Sequence, residues 1–306
     1  MIKKFSACLS AIIFLYTGAF ADNNAGTTVF NFLKLPATAS QAALAGMVSY
    51  ESASAPMNPS MIAFQDKPLL SASYAMHFQN TSFNSANFTI PAGRWGFNVS
   101  YGGMNYGDIE GAEETPTGYI KTGTFSADDA YAGFSVGTEL AEDITVGAGV
   151  KYVWQTIDGS KIDGIAFSFA GTYVSNYNWY ISGGVENAGP DVEGYALPSS
   201  GFISFIDTYK DDTIPGEFTF GAEARAFFDQ TYWLKASCEY NFKSMFFARA
   251  GYSLPLTNSN DSLGDWYEKN LSLGFGFSYD FFKIDYAWLP FGDLGATSML
   301  SLQLTF

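Results

Sequence analysis

The chain of 306 residues contains one histidine and two cysteines. A single histidine, His77, excludes catalytic relays and metal centres that need two. Cys8 lies in the leader described below, which leaves Cys238 alone and rules out a disulfide framework within the chain. Basic residues are few: 15 Lys and Arg stand against 30 Asp and Glu. That balance excludes a nucleic-acid surface, because phosphate binding rests on clustered cations. Charged residues make up only 15% of the chain, against about 25% in soluble domains. After Ala21 no stretch approaches the roughly 18 consecutive apolar residues of a spanning helix. No Gly-Lys-Ser/Thr follows a glycine-rich turn, so phosphate loops are absent too. What the chain does have is 54 aromatics (29 Phe, 19 Tyr, 6 Trp) and 31 glycines. Low charge, many rings and many glycines without long apolar runs point away from a soluble enzyme.

Residues 1–21 read as a signal peptide. Lys3 and Lys4 form a positive start, 8–16 (CLSAIIFLY) is an apolar stretch of signal length, and Ala19 and Ala21 are small residues suited to cleavage before Asp22. A membrane anchor is the competing reading, but the run is short and ends at Thr17 and Gly18. Cleavage leaves 13 basic and 30 acidic residues.

From residue 67 to the end, segments of about ten residues alternate with period two. In 146–154 one face is Val146, Ala148, Val150, Tyr152 and Trp154, the other Gly147, Gly149, Lys151 and Val153. In 271–279 Leu271, Leu273, Phe275, Phe277 and Tyr279 oppose Ser272, Gly274, Gly276 and Ser278. A soluble sandwich also alternates. Aromatic ends on the apolar faces, small polar residues opposite, and the closing alternation 302–306 ending in Phe306 favour a transmembrane antiparallel β-barrel. The terminal phenylalanine is similar to the assembly signal of bacterial outer-membrane barrels. Strand-like segments fall at 68–78, 82–90, 94–104, 117–125, 130–138, 144–154, 165–174, 178–186, 217–227, 231–241, 245–253, 270–280, 282–288 and 298–306, which predicts fourteen strands. Connections at 141–143 and 229–230 read as periplasmic turns, and 105–116, 187–216 and 254–269 as outer loops. Residues 22–66 stand outside the pattern and read as a segment that plugs the barrel or hangs in the periplasm.

Several motifs carry a family resemblance. They are Gly26 with the run through Phe32, Leu33 and Pro36; Gly46 through Asn58 and Pro59; Asn187, Gly189 and Pro190; and Asp285 and Tyr286 leading into Pro290, Phe291, Gly292, Asp293, Leu294 and Gly295. The chain resembles the PorV/PorQ family of outer-membrane proteins, and the likeness spans almost all of residues 22–306. It departs from the family pattern at Ala45, Met57, Ser60, Met61 and 296–298. The resemblance implies a fourteen-stranded barrel like that of the FadL transporters, and a role as an accessory of type IX protein secretion that binds exported cargo.

No catalytic residue stands out. His77 shares a face with Ser71, Ser73 and Ala75 but has no orienting partner in the pattern, and its ordinary place is the lumen or rim. The acids Asp207, Asp211 and Asp212 lack the regular spacing of a calcium loop and read as solvated loop. No cofactor or metal is expected. The expected partners are outer-membrane lipid and either secreted cargo and secretion components, for which FISFIDTY at 202–209 would supply loop anchors, or hydrophobic small molecules. In the second case Phe30, Phe32, Leu33 and Leu35 would contribute to an apolar pocket beside the plug.

Overall fold

In the computed structural model, residues 27–77, 80–116, 118–211, 213–256 and 270–306 are described. The proposed signal peptide and Gly26 lie outside them, as do the loop residues 257–269 and Asp212. Fourteen antiparallel strands close into one barrel: β1 (Leu69–Met76), β2 (Ser82–Ala92), β3 (Trp95–Thr115), β4 (Gly118–Ala141), β5 (Ile144–Ile157), β6 (Ser160–Val174), β7 (Trp179–Ala188), β8 (Ser200–Lys210), β9 (Glu217–Phe227), β10 (Tyr232–Phe242), β11 (Phe246–Pro255), β12 (Leu271–Tyr279), β13 (Phe282–Pro290) and β14 (Ala296–Thr305). Each strand pairs with its sequence neighbours, and β1 meets β14 in register from Leu69↔Thr305 to Met76↔Ser298. Closure leaves no sheet edge where all fourteen strands are paired, which is what lets a sheet stand in hydrocarbon.

The alternation has its expected physical outcome. Along β1, Leu70, Tyr74 and Met76 are exposed while Ser71, Ser73 and Ala75 are buried; along β14, Leu300 and Leu302 are exposed while Thr297, Met299, Ser301 and Gln303 are buried. The apolar side therefore faces outward and the small polar side faces the lumen, the reverse of a soluble core. Cys238 follows this rule: its neighbour Ser237 bonds inward to Tyr50 and Met47, so Cys238 is on the outer face.

The total of fourteen strands hides two compensating errors in the sequence reading. The segments 117–125 and 130–138 are one strand, β4, and the expected outer loop at 105–116 is the far end of β3. Asp128 and Asp129 lie between those two segments, and both acids are satisfied within the ladder. Asn105 Nδ2 donates to Asp128 at 2.6 Å, and Tyr106 Oη and Gln155 Nε2 donate to Asp129 at 2.7 and 2.6 Å. Beyond Asn105 and Ala127 the two strands lose their outer neighbours and continue together as a two-stranded ribbon. The second error is a missed strand: 202–209, read as loop, lies within β8. Its inward positions Phe202 and Ile206 are buried and apolar, so both faces look apolar and the alternation vanishes. The loop expected at 187–216 is consequently two connections flanking β8. The turn at 229–230 also changes ends. Counting strands from the termini places it at the end opposite Leu69 and Thr305, while 142–143 lies at the same end as the termini.

Residues 27–66 form short turns: 3-10 turns at Asn31–Lys34, Ser52–Ser54 and Pro59–Phe64, and a five-residue helix α1 (Ala39–Ala43) with Thr38 Oγ1 accepting from Gln41 N. Much of this backbone is irregular, so its polar groups need partners outside their own segment. The inward serines and threonines supply them. Ala39 N donates to Ser301 Oγ at 2.6 Å, Ser272 Oγ donates to Ala43 O at 3.0 Å, and Ser85 Oγ donates to Ala37 O at 2.5 Å. Small residues on the wall make room. A methyl group at Gly147 would lie 2.3 Å from the Pro59 carbonyl carbon, and one at Gly251 would lie 2.3 Å from Ala45 N. Phe30, Phe32 and Leu33 are buried in one cluster with Tyr131, Val153 and Leu197.

Candidate functional site

Charged residues in the middle of barrel strands cannot face hydrocarbon cheaply, so they turn inward and pair. Two such networks line the lumen. In the first, Arg225 bonds Glu223 at 2.9 Å and Glu186 at 3.0 Å, Lys235 lies 3.4 Å from Glu223, and Lys151 donates to Asn187 Oδ1 at 2.8 Å. In the second, Arg249 bonds Glu239 at 2.5 Å and Asp285 at 2.6 Å, and Lys283 lies 3.3 Å from Glu51 and 3.6 Å from Asp285.

The N-terminal segment 27–64 carries two charges, Lys34 and Glu51, and each is tied to the wall. Lys34 Nζ lies 3.0 Å from Asp229, in the β9–β10 turn at the end opposite the termini. Burial pushes the Asp229 carboxyl up, but donation from Thr231 and Lys34 more than offsets it and leaves the group below its ordinary range. Glu51 meets Lys283 toward the terminal end and also accepts from Thr38 at 2.6 Å, from Gln303 at 3.1 Å and from Ser40. Burial alone would raise this carboxyl; Lys283 and the three donors overcome it and hold the group at about 2.

Between the segment and the wall of β9–β13 lies a cavity of about 420 Å³. Its apolar surface comes from Pro36, Met57, Phe227, Trp233, Leu271 and Leu289, and its charged lining from Lys34, Arg225, Asp229 and Lys235. Asp229, Asn270 and Phe291 place it toward the end opposite the termini. A cavity of this size with an apolar body and a few polar groups is the ordinary form of a small-molecule site.

The family-motif residues are distributed unevenly around this site. Pro36 and Gly46 from one end of the chain and Pro290 and Phe291 from the other meet in its lining. Gly46 is left-handed (φ 66°) and its carbonyl accepts from Lys235 at 3.1 Å. Gly292, Asp293, Leu294 and Gly295 form the β13–β14 turn beside it, with Gly292 and Gly295 at positive φ. Asn58 and Pro59 are buried at the turn that seats against Gly147. Gly189 lies against β6, where a methyl group would meet Ile165 O at 2.3 Å; Asn187 holds Lys151, and Pro190 follows in the β7–β8 connection. Asp285 belongs to the Arg249 network, Tyr286 Oη bonds Ser298 at 3.0 Å, and Phe306 is exposed at the chain end. Phe30, Phe32 and Leu33 do not line the cavity, and neither does Leu35; only the neighbouring Lys34 and Pro36 do. His77 stands at the rim against Phe291 and Thr297.

Arg225, Phe227, Trp233 and Lys235 went unnoticed in the sequence. The available signal was the inward-phase charge in two adjacent strands, Glu223 and Arg225 in β9 and Lys235 in β10. Among the described residues no group of three or more His, Cys, Asp or Glu is placed to hold a metal ion.

No protein-family model matches this chain, and no curated protein does. Solved structures do. The chain is similar to the toluene transporter TbuX of Ralstonia pickettii (TM-score 0.68, 13% identity, 91% of this chain and 100% of that one). It is similar as well to the toluene transporter TodX of Pseudomonas putida (0.63, 12%, 90% and 99%) and to a Pseudomonas aeruginosa FadL homologue (0.56, 12%, 89% and 99%). At such identities the likeness establishes architecture. The chain has the closed fourteen-stranded antiparallel fold of the FadL-like outer-membrane barrels.

Proposed function

We propose that this protein is a non-enzymatic channel of the bacterial outer membrane that admits hydrophobic small molecules, with residues 27–66 acting as a plug inside the barrel. The observation that carries the reading is the 420 Å³ cavity, lined mostly by apolar side chains and shared between the N-terminal segment and the wall. A molecule entering from the end opposite the termini meets this cavity, whose floor includes Gly46 and Met57 of the buried turns at 39–64. Its onward passage then requires the segment to shift. The neighbouring structures support this choice, being described as toluene transporters and a FadL homologue. Export by the signal peptide at 1–21 completes the reading.

Uptake of labelled toluene by cells with an intact outer membrane, lacking their own hydrocarbon channels, tests it. Expression of the chain should raise the initial rate in a saturable way, and an unchanged rate refutes transport. The PorV/PorQ resemblance implies a secretion accessory instead, and the neighbours lend that role no support. Recovery of secreted proteins with the barrel extracted from its host, and of no apolar molecule, would overturn the transport reading in its favour.

A further inference from the structure

One connection in the barrel is a sheet in its own right. Beyond Asn105 and Ala127, β3 and β4 run on as a two-stranded ribbon that closes at Thr115↔Gly118. It rises from the end opposite the termini, and long connections gather at the outer side of an outer-membrane barrel. The β3 arm, 106–115, reaches about 30 Å at roughly 3.3 Å per residue. A two-stranded ribbon is marginally stable by itself in water, and a third strand is what gives such a sheet stability. Among the described residues this ribbon has none: Asn105 is the last residue of β3 paired with β2, and Ala127 is the first of β4 paired with β5.

The two outer edges of the ribbon differ. The β3 arm carries four carboxylates, Asp108, Glu110, Glu113 and Glu114, and its register shifts between Asn105 and Asp108. Charge and irregularity of this kind protect an edge against further pairing. The β4 arm, 118–126, reads GYIKTGTFS and contains no acid. Its Tyr, Ile, Thr and Phe are residues that favour strands. Its one interruption is the extra residue at Thr122, where Gly111 faces Gly123 and Ala112 faces Lys121. Tyr119 is 73% exposed and Ile120 55%, so no described residue covers this arm near its tip.

Charge selects what pairs there. Lys121 Nζ lies 2.6 Å from Glu110 and answers one carboxylate, while Asp108, Glu113 and Glu114 have no cation partner among the described residues. A strand added beside β4 lies two ladder spacings, about 10 Å, from β3, a gap that a lysine or arginine side chain spans and that salt screens incompletely. An acidic strand is repelled from the same place, and a second copy of the ribbon brings four more carboxylates.

We propose that the outer edge of β4 over 118–126 docks an extended, Lys- or Arg-bearing segment of an extracellular protein as a third strand. The backbone ladder holds the segment and the carboxylates of β3 select its charge. The proposal depends on the outer-membrane placement and not on transport.

Fluorescence anisotropy with the full-length protein in phosphatidylcholine nanodiscs tests it with three labelled peptides. These are KVKTKVKTKV, the acidic EVETEVETEV, and KPKTKPKTKP, which keeps the charge but cannot join a ladder. The first should bind at least about tenfold tighter than either of the others. In Glu113→Gln/Glu114→Gln its advantage over the acidic peptide should fall to about threefold or less. Disulfide trapping in a Cys238→Ala background fixes the place: a cysteine at the centre of the first peptide should couple to Thr124→Cys and not to Glu110→Cys on the far arm. Equal binding of KPKTKPKTKP overturns strand pairing, and equal binding of the acidic peptide overturns the selection by charge. Coupling to Glu110→Cys instead, or to neither, overturns the β4 edge. Binding of none of the three removes the proposal and leaves the transport reading to its own uptake assay.

Discussion

Replacing Glu51 by Gln isolates the contact that ties the N-terminal segment to the terminal end of the barrel. The side chain is 15% exposed, faces Lys283, and accepts from Thr38, Ser40 and Gln303. Its carboxyl is held at about 2 against an ordinary 4.5, a gap that corresponds to about 3 kcal/mol of preference for the docked, ionised state. Because the value in the folded protein is depressed, this stabilisation is fully present above pH 4.5 and is lost as the pH falls toward 2. Gln keeps an acceptor oxygen but no charge, so at pH 7 the segment should open on the order of 10²-fold more often. Hydrogen exchange of 38–54 in lipid nanodiscs, corrected for intrinsic rates, reads the opening directly. Wild type should approach Glu51→Gln between pH 4.5 and 2, while the variant changes less over that window. The carboxylates of Asp285 and Glu239, around Arg249 and Lys283, are the same in both proteins, so the comparison isolates Glu51. Equal protection of the two proteins at pH 7 would refute the reasoning.

Other substitutions test other contacts. Gly147→Val should displace the turn at 59–62, since the new atoms meet Pro59 backbone and not a movable side-chain tip. The cost should be about 1–3 kcal/mol in urea unfolding, with strand content in circular dichroism retained. Arg249→Met takes the cation from Glu239 and leaves Asp285 only Lys283 at 3.6 Å, and should cost about 3–5 kcal/mol by the same assay. Ala45 is left-handed at φ 60°, so Ala45→Gly should stabilise the segment by up to about 1 kcal/mol, seen as slower exchange of 41–48. A spin label on Cys238 should be relaxed by lipid-soluble oxygen and barely by a water-soluble reagent, as its outward position requires.

Legibility in the sequence followed the solvent on each side of the wall. Strands such as β1, β5, β12 and β14 have hydrocarbon on one side and small polar partners on the other, and their alternation is plain. β8 has buried apolar residues at Phe202 and Ile206 on its inner side, where α1 and its flanking turns leave an apolar patch with Val48 and Met57, and its pattern was lost. The acids of β4 misled for a related reason. Whether Asp128 and Asp129 end a strand or extend it depends on Asn105, Tyr106 and Gln155, which come from the neighbouring strands.

By itself the sequence determined that this chain is a barrel with an outward apolar face and no catalytic machinery in view. Period-two alternation and composition are local properties, and a closed sheet is the strand architecture that satisfies them in hydrocarbon. Only the tertiary structure decided where the ends of the chain meet. Pro36 and Gly46 join Pro290 and Phe291 around one cavity, and Arg225 and Lys235, inward on adjacent strands, charge its wall. Those encounters depend on strand register and on glycine seats that admit the N-terminal turns, and a linear pattern encodes neither.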